Sequence, residues 1–518
     1  MQGLQVEKSK REGRDATVLE MERLGAESAS IARERADGYH RYHIDTTETK
    51  DRQAIPRRFN VKVGKIGLAK LIIKEAFKYK GNREVMLSRP CTYGVFSSPV
   101  GGFAPRPDLC VGCLRCCIQH PEFVKVTHNP AHLALGDSYM THGHVWTVDE
   151  EARKGTVPVR GQGYRGRFGG PGFDMMLTDM SEIVRPSRDG IHGRELIGTS
   201  VDIGSKPMHL SFDESGGLIG ATSSMFSIQV PFFLDTLPTN VASPLLRSIW
   251  ARTAAEIDSL AVLPAKSVAE ENLDSPNVVP ILCSDSAAPP IAEQIRALPK
   301  ARLFEVNGWN EVAWLEARAA AGSRQVAVRH SYGLGWLESL QNMIGAGVPV
   351  VHLVADGHGR GAEGRFIMEM MKEAHMSLIE AGTRDSVTLL GSGGIVAADH
   401  PPKAIICGLD AVGLDNAALV ALQGRPEGEM RDATNIEMVM PKNLDEDWGV
   451  QRLKNLFGSW RDQMLEILGA MGVREVRRLR GELGRSMMVD HLETEAFGDI
   501  EGFDGFIKTS PAIDGGDV

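Results

Sequence analysis

Nowhere in these 518 residues does an apolar run reach the roughly 18 residues that a membrane-spanning helix needs. The N-terminus is charged throughout and has no apolar core of a secretory signal, so the expected location is the cytoplasm. Positive charge is in deficit, with 58 Lys/Arg against 67 Asp/Glu and a net of −9, which argues against a general nucleic-acid binder. No G-x-G-x-x-G stands at the turn from an early strand into a helix, the place it takes in a dinucleotide-binding fold. Cysteine is sparse and odd in number, seven in a long chain, which suits a metal site better than a disulfide framework. What the chain does have is apolar content, 42%, enough for a large core and more than one domain.

Four of the cysteines crowd into PDLCVGCLRCCIQHP, with Cys91 upstream in SRPCTYGVF. Cys110, Cys113 and Cys116 stand at C-x2-C-x2-C, a spacing that brings three thiolates around one point in a loop, as in a bacterial ferredoxin run. Zinc sites use separated C-x2-C pairs, so the spacing favours an iron–sulfur cluster, expected to be one 4Fe-4S centre. A ferredoxin run continues to C-x3-C-P, and here His120-Pro121 stands in that place. That last cysteine normally serves a second cluster, so a single cluster completed by a remote ligand is expected. Cys91 is the first choice, Cys117 the second and His120 the third. Cys283 and Cys407 read as reduced cysteines packed as small hydrophobes.

From Ile228 onward short apolar runs alternate with helical ones. Strands are expected at Ile228–Leu234, Leu260–Leu263, Val278–Cys283, Arg302–Val306, Gln325–Arg329, Pro349–Val354, Ser386–Leu390 and Ala411–Leu414. Eight such units make a (β/α)8 TIM barrel. Ser243-Pro244 reads as an N-cap followed by proline at the first helical position, and Gly322 and Gly382 stand just beyond helix ends. The last two units carry the chemistry. Gly391-Ser392-Gly393-Gly394 follows the seventh strand, and Asp415-Asn416 opens from the eighth into a helical run at Ala417. Glycine lets backbone N–H groups approach an anion, and a helix N-terminus adds partial positive charge. Gly391, Ser392, Gly393, Gly394, Asn416 and Ala417 are therefore the candidate phosphate clamp, where such barrels often hold phosphate. The plainer reading of GSGG is a tight turn. An open doubly wound sheet is the alternative fold, but its phosphate-binding glycines follow the first strand. Of His330, His352 and His358 near strand ends, His358 is the candidate general acid because its loop faces the barrel mouth.

The flanks are less specific. Residues 1–80 hold 18 Lys/Arg against 12 Asp/Glu, and GLAKLIIKEAFKYK sets Leu68, Leu71, Ile72, Ala76 and Phe77 on one helical face with lysines opposite. This segment is the candidate dock for an acidic redox partner; a solvated surface helix is the competing reading. GQGYRGRFGGPG is a glycine-rich loop, and Arg185, Arg188, His192 and Arg194 after it are either an anion-facing cover or a salt-bridged connection. Val201–Phe212 looks extended, Trp448–Arg480 helical with a break near Gly472, and the last ten residues disordered. The expected organisation is a basic segment over 1–85, a cysteine-cluster and cover region over 86–225, the barrel over 226–425 and a helical extension over 426–518.

SVTLLGSGGIVAADHPPKAIICGLDAVGLDNAALVAL resembles the end of the FMN-binding barrel in the large subunit of glutamate synthase. VAVRHSYG around Arg329 is similar to that family's lysine-bearing strand near the flavin, and LVADGHGRGAEG, with Asp356 and Gly357, to its next glycine-rich loop. The similarity spans Ile228 to Gln423, and stand-alone glutamate synthase-related proteins with an upstream cysteine cluster look similar in layout. It implies FMN as cofactor, held by the clamp with Asp356 and Gly357 nearby. It also implies an oxidoreductase passing electrons between a ferredoxin-like or other redox partner and a small-molecule substrate, as an oligomer or complex subunit. Arg329 would place positive charge near the flavin N1–O2 edge; a barrel-mouth salt bridge is its other reading. The family's glutaminase cysteine and its post-barrel cysteines have no counterpart here, so glutamine-dependent glutamate synthesis is expected to be absent. The alternatives in other classes are a non-catalytic electron-transfer subunit and a redox-silent scaffold.

Overall fold

The computed structural model describes residues 42–80, 82, 91–96, 105–156, 171–179, 197–206, 211–219, 225–285, 288–432 and 435–502. The chain divides into Met1–Ile44 and Asp45–Val518. Most of the basic N-terminal segment, most of the glycine-rich loop, Arg185, Arg188, His192, Arg194 and the last ten residues lie outside the described residues.

The cysteine region is built on a hairpin-like pair of distant strands. β1 (Phe59–Val63) and β2 (Val124–His128) run antiparallel with Phe59 opposite His128 and Val63 opposite Val124. Between them lie α1 (Lys65–Lys78) and the short α2 (Arg115–Gln119). Phe77, expected on the apolar face of α1, is 82% exposed, as are Ile66 and Ile73 in large part. Next comes α3 (His142–Lys154), capped by a Thr141–His144 capping box.

The barrel follows. Its strands are β3 (Phe232–Leu234), β4 (Ala261–Pro264), β5 (Val278–Leu282), β6 (Leu303–Asn307), β7 (Gln325–Ser331), β8 (Val350–Val354), β9 (Thr388–Ser392) and β10 (Ala411–Leu414). Each pairs in parallel with the next, and β10 closes on β3 with Gly413 opposite Phe233. The expected TIM barrel is the observed one. Residues such as Val350, Val351, Leu389 and Val412 are wholly buried, which is why these strands read as unbroken apolar runs and not as alternating ones. Between β3 and β4, α4 (Pro244–Glu256) starts where Ser243 accepts from the Leu246 amide with proline at the first position, and Gly322 and Gly382 take φ of +67° and +66° just past helices.

Seven of the eight strands differ from expectation at one end or both, and the shift of the seventh moves the site. The first barrel strand begins at Phe232, because Phe226–Ile228 pairs antiparallel with Val201–Ile203 and Pro231 intervenes. The seventh spans Thr388–Ser392 because Arg384–Ser386 forms a 3-10 turn. Gly391 and Ser392 are therefore strand residues, opposite Leu353 and Val354, and the loop proper starts at Gly393.

A short helix follows the last barrel strand, and a long one after it packs against the barrel. We number the remaining helices α5 (Ala265–Glu270), α6 (Ile291–Arg296), α7 (Glu311–Ala321), α8 (Trp336–Gly345), α9 (Ile367–Glu380), α10 (His400–Ile406), α11 (Asn416–Ala421) and α12 (Glu446–Ala470). Asp445 caps α12 through the Trp448 amide, and Gly472 at φ +69° ends its C-terminal turn. Phe457 and Trp460 sit 5.0 and 6.3 Å from the Phe232 ring, and each such buried side chain contributes about 1.5–3 kcal/mol. Wholly buried Arg452 joins α12 to α3 through Asp149 at 2.8 Å.

Candidate active site

At the carboxyl end of the strands, five of them contribute to one buried polar network. Arg329 on β7 donates from both Nη atoms to Asp235, just past β3, at 2.7 and 2.9 Å. Its Nη1 also lies 3.2 Å from His352 Nδ1 on β8 and 3.5 Å from Glu305 Oε2 on β6. His352 Nδ1 is 2.8 Å from Glu305 Oε1, and its Nε2 is 2.7 Å from Ser392 Oγ on β9. Glu305 and His352 have no exposed surface. Burial works against charge on Arg329 and Asp235, but each outweighs it for the other: the guanidinium stays charged and the Asp235 carboxyl falls well below the usual range. Burial, with Asp235 nearby, pushes Asp415 up to about 7. Arg329 therefore forms a salt bridge with Asp235 at the barrel mouth.

The glycine loop leaves donors open. Gly393 and Gly394 take φ of +106° and +72°, a backbone that turns successive amides the same way. The N–H groups of Gly393, Gly394 and Ile395 are in buried residues and meet no acceptor among the described residues. The neighbouring turn approaches closely: a Cβ on Gly393 would lie 2.6 Å from the Asp356 carbonyl, and one on Gly394 2.8 Å from the Gly359 Cα. Glycine is required at both positions whatever the loop binds. Asp356 caps that turn, accepting from the His358 and Arg360 amides at 3.0 and 2.7 Å, and takes Arg431 Nε at 2.6 Å. Gly357 donates to the Arg431 carbonyl and Asn416 Nδ2 to that of Met430, so both hold residues 430–431 in place. Ala417 is wholly buried in the first turn of α11.

The cover residues were not legible as such in the sequence. Asp137 accepts from His358 Nε2 at 2.8 Å and from the Met430 amide, and the Tyr139 ring stacks on His358 at 5.4 Å between centroids. Burial lowers the His358 pKa, yet the Asp137 carboxylate more than offsets it and raises it overall. Tyr139 Oη donates to the Gly394 carbonyl at 2.7 Å. His144 and His400 each accept a backbone amide at Nδ1, from Thr141 and Val396 at 3.2 Å, and each points Nε2 at Asp174, 3.0 Å away. With Nδ1 accepting, each Nε2 donates to Asp174, and the grouping is a hydrogen-bonded triad. Despite burial, these two bonds hold Asp174 far below the usual carboxylate range. His330, the third strand-end histidine, is lowered by burial.

The cysteines form a second site in the β1–β2 region. Cys91, Cys110, Cys113 and Cys116 line one cavity, walled by Val61, Val126 and their neighbours, whereas Cys117 and His120 do not line it. No three of the sulfurs lie within 4.8 Å of one another. Gly112 at φ +73° and Leu114 at +54° bend the loop, and the Gly112 backbone favours the Cys110 thiolate, though less than burial opposes it. Burial raises the thiol pKa of Cys110 and of Cys116.

Asp235 and Glu305 had a signal in the sequence, a lone acid inside or at the end of an apolar run, PFFLD and LFEVN. Tyr139, Asp137 and Asp174 had none, because they reach the barrel from far upstream.

No family model matches the chain. It is similar to the archaeal-type glutamate synthase [NADPH] of Dehalococcoides mccartyi, 22% identical over 73% of this chain and 86% of the relative. The archaeal glutamate synthase [NADPH] of Methanocaldococcus jannaschii is 37% identical over a shorter stretch, 21% of this chain and 22% of the relative. That of Archaeoglobus fulgidus is 21% identical over 75% and 88%. Among solved structures, a mandelate oxidase variant with (S)-mandelic acid matches at 13% identity and TM-score 0.41, over 67% of this chain and 91% of that one. A flavocytochrome b2 variant with pyruvate matches at 13% and 0.40, over 70% and 82%.

Proposed function

We propose that this relative of the archaeal-type glutamate synthases is an FMN- and iron–sulfur-dependent oxidoreductase that passes electrons from a redox partner to a substrate at the barrel mouth. The observation that carries the reading is the run of three buried, unpartnered amides at Gly393, Gly394 and Ile395, a donor set that fits a phosphate monoester. An unsatisfied buried N–H costs about 1–3 kcal/mol, so an anion at this loop offsets a real penalty. With Asn416 and Ala417 alongside, these residues would hold the FMN phosphate. Cys91, Cys110, Cys113 and Cys116 would hold one 4Fe-4S cluster, with the Gly112 amide supporting a thiolate.

When bound, FMN supplies the hydride and one-electron chemistry and links a one-electron carrier to a two-electron substrate. The chain's own residues do the rest. The Asp235–Arg329 pair and the Glu305–His352–Ser392 chain fix a dry, charge-balanced wall at the mouth. His358, whose protonated form Asp137 favours, would give a proton to the substrate from a loop that Tyr139 and Asp356 hold still. The basic N-terminal stretch would steer an acidic electron carrier.

Anaerobic reconstitution tests this reading. About one FMN and about four iron atoms per chain are expected, with reduction of both by dithionite and turnover by the isolated chain. Cys113→Ser should abolish iron and spare flavin. Gly393→Asp is a poor probe, since any Cβ there collides with the Asp356 carbonyl. A reconstituted chain with iron but no flavin would overturn the barrel assignment.

A further inference from the structure

The open amides lie in a loop with three partnered backbone groups around them, and two of those contacts depend on residues from outside the barrel, Tyr139 and Asp174. Before the loop, the Ser392 carbonyl accepts from Ala355 at 2.9 Å. Within it, the Gly394 carbonyl accepts from Tyr139 Oη, a side chain only 4% exposed. After it, the Val396 amide donates to His400 Nδ1, whose Nε2 is fixed on Asp174, itself held by His144 from α3. Lys403 adds a bond from α10 to the Phe173 carbonyl at 2.9 Å, next to Asp174. The loop is pinned at a carbonyl and at a following amide, while the amides between face no acceptor.

We propose that Tyr139 and the His400–Asp174 pair are positioning residues for a phosphate monoester site, setting the backbone of Gly394 to Val396 so that the three amides stay available to the anion. The inference rests on the FMN reading above and adds what shapes that site. Were Tyr139 merely filling space, a phenyl ring would serve as well, since its ring already stacks on His358 and packs near Phe366 at 6.2 Å. The hydroxyl has one partner, the Gly394 carbonyl. Without it that carbonyl keeps only a 3.3 Å contact with His400 Nδ1, and the peptide between Gly394 and Ile395 is held less firmly. Because the same peptide carries the Ile395 amide, its rotation removes a phosphate donor directly.

The test separates phosphate recognition from general folding by comparing two flavins that differ only in the phosphate. Cluster-loaded protein freed of flavin is titrated with FMN and with riboflavin, following flavin fluorescence, with inorganic phosphate as competitor. The wild-type chain should bind FMN more tightly than riboflavin. In Tyr139→Phe the preference should fall about tenfold, through FMN alone, with riboflavin affinity unchanged. A preference within about twofold of wild type would overturn the positioning role and leave the FMN reading intact. A wild-type chain that binds both flavins equally, and is not competed by phosphate, would overturn the phosphate site itself. If Tyr139→Phe loses riboflavin as well, His400→Ala decides by the same ratio: a retained preference refutes the proposal, and a lost one with riboflavin still bound supports it.

Discussion

Replacing Arg329 by leucine should destabilise the protein strongly and in a pH-dependent way. Among the described residues the guanidinium is the only cation donating to Asp235, which is 3% exposed, and it lies 3.5 Å from wholly buried Glu305, whose other oxygen meets His352 at 2.8 Å. Leucine fills comparable space but leaves two carboxylates buried together without the guanidinium. Breaking a buried pair from one side costs about 3–5 kcal/mol. Asp235 has a folded pKa below its unfolded value of about 3.9, so its contribution is present above that pH and lost as pH falls through the folded pKa. In the variant that depression is gone, and the stranded carboxyls can relieve their repulsion by taking up a proton. The deficit should therefore be full at about pH 7.5 and shrink toward about pH 4.5. Urea unfolding of both proteins across that range measures it, and Asp235→Asn in the Arg329→Leu background should recover part of the loss. A deficit below about 1 kcal/mol at neutral pH, or one that grows on acidification, would refute the argument.

Three further outcomes are expected. Cys91→Ser should lose iron as completely as Cys113→Ser, while Cys117→Ser keeps it, because Cys117 does not line the cavity; iron and sulfide analysis reads this. Asp415→Asn should be more stable than wild type above about pH 7 and converge with it below about pH 4. The folded pKa of Asp415 is raised to about 7, so its contribution is present at low pH and lost as pH rises through that value; the asparagine keeps an oxygen for the Asn416 amide. Neutralising Lys70, Lys74 and Lys78 should leave flavin and iron bound while slowing reduction by an acidic electron carrier at low salt, as stopped-flow traces would show. The Lys74–Glu122 pair is half-exposed at both ends, so little stability is at stake.

Local chemistry made the barrel legible in the sequence. Strands buried on both faces must be apolar throughout, and helix starts and ends need Ser243-Pro244, Gly322 and Gly382, so eight units could be counted along the chain to within a few residues. The C-x2-C-x2-C run was equally local, since three thiols in one loop are neighbours whatever the rest of the fold does. Register and distance were not local. Whether Gly391 and Ser392 belonged to strand or loop depended on pairing with Leu353 and Val354, which no window around them contains. That Cys91 and not Cys117 joins the other cysteines is set by how the chain folds back on β1 and β2. The pairing of Arg329 with Asp235 joins residues 94 positions apart, and Tyr139 reaches Gly394 across 255. Burial then decided the electrostatics: the same carboxyl group is pushed down at Asp235, which hydrogen-bonds the Arg329 guanidinium, and up at Asp415, where burial and Asp235 outweigh the same guanidinium.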